Sequence, residues 1–172
     1  MLTALLTVAV DIAVAATTNG ATYPRINLTQ VARGDFSSLK GKWVERAYAY
    51  NPQNGTGEQW VSGSPNIPAT LTVSPSKLVF GPARDTVVTH QGLTYPTATA
   101  GRSRYLPLRW TNQKNVVTAS PVNQMVAINY EVSVYPKAPG ANFYTNNGVK
   151  LSPKPTVVLW SSNDGFTLVF QR

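Results

Sequence analysis

Residues 125–135, MVAINYEVSVY, alternate apolar and polar side chains along their whole length. The apolar set is Val126, Ile128, Tyr130, Val132 and Val134, and every second residue between them falls on the opposite side of an extended chain. A period of two with one apolar side is typical of a half-buried antiparallel strand. The stretch therefore predicts an antiparallel sheet with one face turned to a core.

Similar strand-like runs fill most of the chain on either side of this stretch. They cover residues 42–50, 58–62, 69–73, 77–81, 85–90, 104–110, 115–119, 156–162 and 166–171. Turn-forming residues separate them, and Asn163-Asp164-Gly165 is typical of a tight hairpin turn. A set of about eight to ten short strands without a longer repeat predicts an all-β fold with a single antiparallel barrel. A β-sandwich is the alternative.

The N-terminal residues have the composition of an export signal. Residues 2–16, LTALLTVAVDIAVAA, are mostly apolar and end in small side chains, with Val14 and Ala16 suited to cleavage after Ala16. Asp11 and the lack of a preceding Lys or Arg favour instead a truncated remnant or an ordinary helix. We predict a signal peptide over 1–16, a flexible leader over 17–25 and one barrel domain over 26–172. The apolar run is too short to predict a transmembrane span.

The chain is strongly basic, which favours anionic partners. Fifteen Lys and Arg against seven Asp and Glu give a net charge of +8, and a field of that sign attracts polyanions. The alternative is that the charge only keeps the protein soluble. The nearest approach to a basic patch with aromatic neighbours consists of Arg102, Arg104, Tyr105, Arg109 and Trp110. We predict that these residues bind an anionic wall polymer or a glycan, unless the rings only fill the core.

The stretch GDFSSLKGKW, residues 34–43, predicts a structural element at the start of the sheet. Asp35 is placed to cap a short helical turn, while Phe36 and Leu39 are apolar and suited to burial. Gly41 allows the chain to pass close beneath Trp43. We interpret the stretch as a helical plug that closes one end of the barrel, in preference to a binding motif.

Residues 28–43, LTQVARGDFSSLKGKW, also resemble a domain of unknown function in secreted proteins and lipoproteins of lactobacilli and streptococci. The matching residues are Gly34, Asp35, Phe36, Ser37, Ser38, Leu39, Gly41 and Trp43. The resemblance implies export to a Gram-positive cell surface and no particular activity. Because the chain has no cysteine, a lipid anchor on a lipobox Cys is excluded, and the protein is expected to be released or held non-covalently.

Gly41-Lys42-Trp43 is similar, more weakly, to the opening of lipocalin barrels. In that family the Trp closes the base of the barrel, and a basic residue from a late strand often packs on its ring. Arg172 follows the last predicted strand. The resemblance therefore implies that Arg172 lies on Trp43.

Residues suited to catalysis are few. The only histidine, His90, has no serine-protease context, and no motif for a metal, a cofactor or nucleic acid is present. Glycoside hydrolysis needs two carboxylates that face each other, and Glu45, Glu58 and Glu131 are the candidates. We predict a non-catalytic binding or structural module at the cell surface, monomeric by default. The alternatives are a wall hydrolase using Glu45 or Glu131, a carrier of a small hydrophobic ligand, and a partner for another surface protein.

Overall fold

A computed structural model describes residues 16–18, 21–23, 25–62, 68–82, 85–97, 99–123, 129–137, 150–162 and 165–172. These residues form thirteen strands, one α-helix and one 3-10 turn. The strands are β1 (Ala16–Thr18), β2 (Ala21–Tyr23), β3 (Val44–Tyr50), β4 (Gln59–Val61), β5 (Thr70–Val73), β6 (Lys77–Gly81), β7 (Thr86–Thr89), β8 (Gly92–Pro96), β9 (Ser103–Gln113), β10 (Val116–Pro121), β11 (Tyr130–Tyr135), β12 (Thr156–Ser161) and β13 (Phe166–Gln171). The helix α1 spans Leu28–Ala32, and the 3-10 turn spans Ser37–Leu39.

Eleven of the strands form one antiparallel sheet that curls into a half-barrel. Strands β5 to β13 are neighbours in chain order, and β13 then pairs with β3, which pairs with β4. The first and last long strands of the sheet are therefore adjacent. Strands β4 and β5 are its two edges, and the curl brings β5 into contact with β3. The prediction of an all-β antiparallel fold is confirmed.

Strand β9 joins the two halves of the sheet. Its first half pairs with β8, from Pro107 opposite Gly92 to Ser103 opposite Pro96. Its second half pairs with β10, from Leu108 to Gln113. Because β9 is eleven residues long, it spans both ladders and makes the sheet continuous.

Two elements differ from the prediction. Strand β8 was not predicted, because its terminal Gly92 and Pro96 resemble turn residues. Within the leader predicted over 17–25, β2 pairs with β1 as a hairpin, and the dipeptide between them in the sequence, Asn19-Gly20, is one that favours hairpins. Three predicted segments lie outside the described part: residues 125–128 of the long strand, the turn residues 163–164 and the first fifteen residues.

The concave face of the sheet packs into one core. Tyr130, Val132 and Val134 lie in it, as their alternation predicts. Tyr130 contacts Tyr95 with ring centroids 4.8 Å apart, and Phe80 contacts Phe170 at 5.7 Å. Side chains from opposite strands therefore meet across the inside of the curl.

A second, smaller core covers the convex face of the last strands. It consists of Ala47, Ala49, Trp60, Val158 and Val169, with Tyr135 and Leu151 packed against it. The two alanines leave space on β3 for the indole of Trp60. As a result every residue of β13 is buried, whichever face it points to.

A β-bulge in β3 turns a carboxylate toward the inside of the curl. Val169 pairs with Ala47, whereas Phe170 pairs with Glu45, so that Arg46 is the extra residue. An extra residue reverses the side on which the preceding ones point. Glu45 is consequently only 8% exposed and accepts a hydrogen bond from the backbone N–H of Ala69, just before β5. This bond links β3 to the edge strand of the other half.

No helix within the described ranges is long and apolar enough to cross a membrane.

Candidate functional site

The turn that carries Gly34 is built against the loop after β7. Gly34 has φ +85°, and a Cβ placed there would lie 2.3 Å from the Cβ of His90. Both the left-handed backbone and the close approach require glycine at this position. The next residue, Asp35, accepts a hydrogen bond from the N–H of Ser37 at 3.0 Å. Hydrogen bonds from Ser37 hold the pKa of the Asp35 carboxyl below its usual value.

The apolar residues of the same turn belong to the concave core. Phe36 and Leu39 are fully buried. The Phe36 ring contacts the Trp110 ring, with their centroids 5.4 Å apart. The backbone N–H of Phe36 donates to the carbonyl of Pro75. The N–H of Asn27, at the start of α1, donates to Ser38 Oγ. The predicted burial of Phe36 and Leu39 is confirmed, and the motif holds the helix to the sheet.

Trp43 and Arg172 meet where the chain enters β3. The indole Nε1–H of Trp43 donates to the carbonyl of Leu39 at 2.8 Å, and the ring is buried. The Arg172 guanidinium lies 5.6 Å from the ring centroid and donates to the carbonyls of Ser38 and Lys40. The predicted contact between Arg172 and Trp43 is confirmed. One cation thus binds the ring and the end of the 3-10 turn together.

The predicted ligand residues on β9 do not form one patch. Arg102 lies in the turn before β9, and its backbone pairs with Thr97. Arg104 and Trp110 lie on the concave side of β9, while Tyr105 and Arg109 lie on the convex side. Trp110 donates from Nε1 to the carbonyl of His90 and packs on Phe36. Its indole therefore takes part in the core, and the arginines are spread along about 17 Å of strand.

The candidate carboxylates lie on different faces of the sheet. Glu45 faces the concave core through the bulge, whereas Glu131 alternates with Tyr130 and Val132 and faces outward. Glu131 accepts a hydrogen bond from Ser133 Oγ at 3.0 Å. Glu58 accepts a hydrogen bond from the hydroxyl of Thr167, which lies on the convex face of the sheet. The geometry does not bring Glu45 and Glu131 together as a pair of hydrolytic carboxylates.

A basic pocket of about 780 Å³ opens beside Arg172, and its cationic residues come from four separate parts of the chain. Arg25 precedes α1, Lys114 occupies the hairpin between β9 and β10, Lys137 follows β11 and Arg172 follows β13. None of the residues that line it in the described part is acidic. Arg25, Lys114 and Lys137 are exposed, so their charges face solvent.

Two features fix the shape of the basic pocket. Lys114 and Asn115 both have positive φ, 47° and 65°, which is the backbone of a type I′ hairpin turn. The phenol of Tyr135 lines the wall, and burial raises its pKa above the usual value. Its hydroxyl hydrogen-bonds with the side chain of Ser133, and the nearby charge of Glu131 also raises its pKa.

Sequence reasoning missed this pocket because its residues are far apart in the chain. Only Lys114 lies near the predicted patch. The only sequence signal for the basic pocket was the expected contact between Arg172 and Trp43, which predicts one cation beside the N-terminal turn. The other three positions depend on which strand ends and loops the topology brings there.

None of the protein-family models, curated proteins or solved structures compared with this chain matches it. Among the described residues, no group of three or more His, Asp or Glu side chains is arranged to hold a metal ion.

Proposed function

We propose that this protein is a non-catalytic module that binds an anionic polymer at the basic pocket. The observation that supports the proposal is the convergence of Arg25, Lys114, Lys137 and Arg172 around one opening, with no acidic residue among the described residues that line it. Like charges repel, so that such a cluster is costly in the folded protein unless an anion offsets it. A recessed site also concentrates the positive field more than scattered surface charges do.

The four cations differ in what they contribute to binding. Arg172 is held by two carbonyls and by Trp43, so its guanidinium loses little further freedom when it binds an anion. Arg25, Lys114 and Lys137 are exposed and adapt to the spacing of charges along a polymer. Phosphate and carboxylate groups both suit this set.

The location of the protein is proposed on sequence grounds. The apolar N-terminus and the resemblance of residues 28–43 favour export to a Gram-positive surface. Anionic wall polymers are abundant there and present repeated charges. A basic module that is not anchored by lipid is retained at such a surface by ionic contacts alone, and its net charge of +8 supports that role.

The N-terminal turn is proposed to close one end of a lipocalin-like barrel. Phe36 and Leu39 are buried within the curl, and Arg172 covers Trp43 at its end. The basic pocket lies beside the same turn, since Arg172 both covers Trp43 and lines the pocket. In this proposal the turn over residues 34–43, which we call the lid, is a rigid support for the pocket. Of the residues around it, only Arg172 contacts the ligand.

Binding of a glycerol-phosphate oligomer tests the proposed function. Lys114→Gln with Lys137→Gln removes two positive charges from the pocket, and Arg102→Gln with Arg104→Gln removes two from the patch predicted on β9. Both pairs are exposed, and the net charge changes equally. We expect only the first pair to weaken binding and to reduce the dependence of log K on log salt by about two contacts.

The control pair separates a specific site from a general field. Equal loss of affinity in the two double variants means that net charge alone attracts the polymer, and it contradicts the proposed pocket. Binding that does not weaken as salt rises contradicts it as well. Thermal unfolding of both variants beforehand excludes a loss of fold as the cause.

Two of the three alternative functions, the wall hydrolase and the hydrophobic carrier, find less support. A wall hydrolase needs a facing carboxylate pair, and Glu45 is instead hydrogen-bonded to Ala69 at the seam of the sheet. A hydrophobic carrier needs an empty interior, and Tyr95, Tyr130 and Phe166 contact one another across the curl.

A further inference from the structure

A second surface feature lies on the convex face of the sheet, away from the basic pocket. Trp160 is 37% exposed, whereas the other five residues of β12 and all of β13 are buried. The largest apolar side chain of the two strands is therefore the one that remains open to solvent. A single exposed indole is common on protein surfaces, so the neighbours of Trp160 decide whether it belongs to a binding site.

Trp160 lies in a concave site with hydrogen-bonding neighbours. A pocket of about 300 Å³ is lined by Ser120, Asn129, Glu131 and Trp160, together with Pro121 and Tyr130. Its volume is at the lower end of the range for small-molecule sites. Trp160 is directly opposite Glu131 in the register of β11 and β12, so the carboxylate and the ring lie side by side.

The polar groups of the site are held in place by the strands around them. Glu131 accepts a hydrogen bond from Ser133 Oγ, which in turn lies 3.3 Å from Thr118 Oγ1. The N–H of Asn129 donates to Ser162 Oγ, and its carbonyl accepts from the N–H of Ser162. These contacts fix the backbone and the carboxylate, so the site is largely formed before a ligand binds.

We infer that this site, the Trp160 site, binds a neutral pyranose sugar. The C–H groups on one face of a pyranose carry partial positive charge and suit the electron-rich face of an indole. Neighbouring hydroxyl groups on the ring edge donate to a carboxylate, and the Asn129 amide and Ser120 hydroxyl have both donors and acceptors. The combination of one aromatic face with one carboxylate and neutral polar groups fits a sugar better than a purely apolar ligand.

The charge of Glu131 separates this ligand class from that of the basic pocket. A carboxylate beside the ring repels phosphate and uronic acid groups. The two pockets share no lining residue, although Tyr135 of the basic pocket hydrogen-bonds Ser133, which donates to Glu131. The inference does not depend on anion binding.

Titration with uncharged tetrasaccharides tests the Trp160 site. Cellotetraose, maltotetraose and chitotetraose are added in turn, and the four indole N–H signals of the protein are followed by NMR. We expect one indole signal to shift, and the same signal to be missing in Trp160→Ala. That variant should bind about tenfold to a hundredfold more weakly, which is the range for loss of one stacking contact.

Tyr105→Ala is the matched control, because Tyr105 is the most exposed of the large apolar residues in the described part, at 55%, and lies on the same face of the sheet in the other half. It should bind as the wild type does. Binding at the Trp160 site should also be insensitive to salt, whereas binding at the basic pocket weakens. No shift with any of the three sugars at millimolar concentration, or equal affinity in Trp160→Ala, overturns the inference.

Glu131→Gln distinguishes binding from hydrolysis. It keeps hydrogen-bonding groups at the position but removes the charge, so a binding site should lose affinity only a fewfold. The wild type should leave each tetrasaccharide intact over prolonged incubation. Release of shorter sugars by the wild type and its loss in Glu131→Gln would replace the inferred binding site with an active site.

Discussion

Replacing Gly34 with alanine tests whether the turn over residues 34–39 is part of the core. The φ of +85° costs a residue with a Cβ about 1–2 kcal/mol. The added Cβ also lies 2.3 Å from the Cβ of His90, well inside the separation of about 3.5–4.0 Å that carbon atoms keep. Relief of such overpacking costs about 1–3 kcal/mol. We expect Gly34→Ala to lower the free energy of unfolding by about 2–5 kcal/mol.

Two substitutions of His90 separate these costs. His90→Ala keeps the Cβ at 2.3 Å but removes the Cγ at 2.7 Å, so that in this background Gly34→Ala should cost less than in the wild type but more than the backbone cost alone. His90→Gly removes the Cβ, and only the backbone cost of about 1–2 kcal/mol should remain. Urea unfolding followed by fluorescence gives each value, provided that the slope m is unchanged. The same cost in both His90 backgrounds, or a total below about 0.5 kcal/mol, refutes the assignment of Gly34 to a packed lid.

Two further predictions concern the carboxylates of Asp35, in the lid, and of Glu45, where β3 meets the segment before β5. Glu45→Ala should cost about 1–3 kcal/mol and speed hydrogen exchange at the Ala69 amide, because that N–H loses its acceptor. Glu45→Gln retains an acceptor and should lose less, and unchanged Ala69 exchange in Glu45→Ala would contradict the seam contact. The pKa of Asp35 is lower in the folded protein than its usual value of about 3.9, so its contribution to stability is present above that pH and is lost as pH falls through the folded value. Acid unfolding should accordingly be less steep below about pH 4 in Asp35→Asn than in the wild type, and equal pH profiles would argue against a stabilising hydrogen bond from Ser37 to Asp35.

The sheet was predictable because its signal is local. Alternation in the residues now assigned to β11 and β13 reports a face that is buried, whichever neighbours bury it. Strand β6 was predicted with its observed bounds, since its turns are marked on both sides. Strand β8 was missed because the signal is local, since Gly92 and Pro96 are residue types that are typical of turns. Gly92 is instead required there by the Tyr105 ring, which would lie 2.4 Å from an added Cβ.

Features that depend on two distant segments were not predictable. The bulge opposite Val169 turns Glu45 inward against the alternation of its strand. The convex core was hidden because Ala47 and Ala49 carry little apolar signal, although they are buried beneath Trp60. The Trp160 site was not predicted because its strand has a strong apolar signal, and a Trp within such a strand is expected to lie in the core.

The ligand residues predicted on β9 are close in sequence but not on one surface. Arg102 precedes the strand, and Arg104 and Arg109 lie on its two faces. The cations of the basic pocket are remote in sequence and meet because strand ends and loops lie together at one edge of the curled sheet. Sequence proximity predicts a surface patch on a helix turn or a loop far better than on an extended strand.

Arg172 connects the lid with the basic pocket, and this has a thermodynamic consequence for the proposed function. Its guanidinium holds the carbonyls of Ser38 and Lys40 while it lines the pocket. A ligand that binds this arrangement and not the unfolded chain stabilises the lid and the sheet together, by about 2.7 kcal/mol when its concentration is a hundred times Kd. If the proposed function holds, the coupling is reciprocal, because a substitution that displaces the carbonyls of Ser38 and Lys40 also loosens Arg172 and should weaken binding. In this proposal the turn contributes to affinity through Arg172, and the exposed lysines contribute to affinity without contributing to the fold.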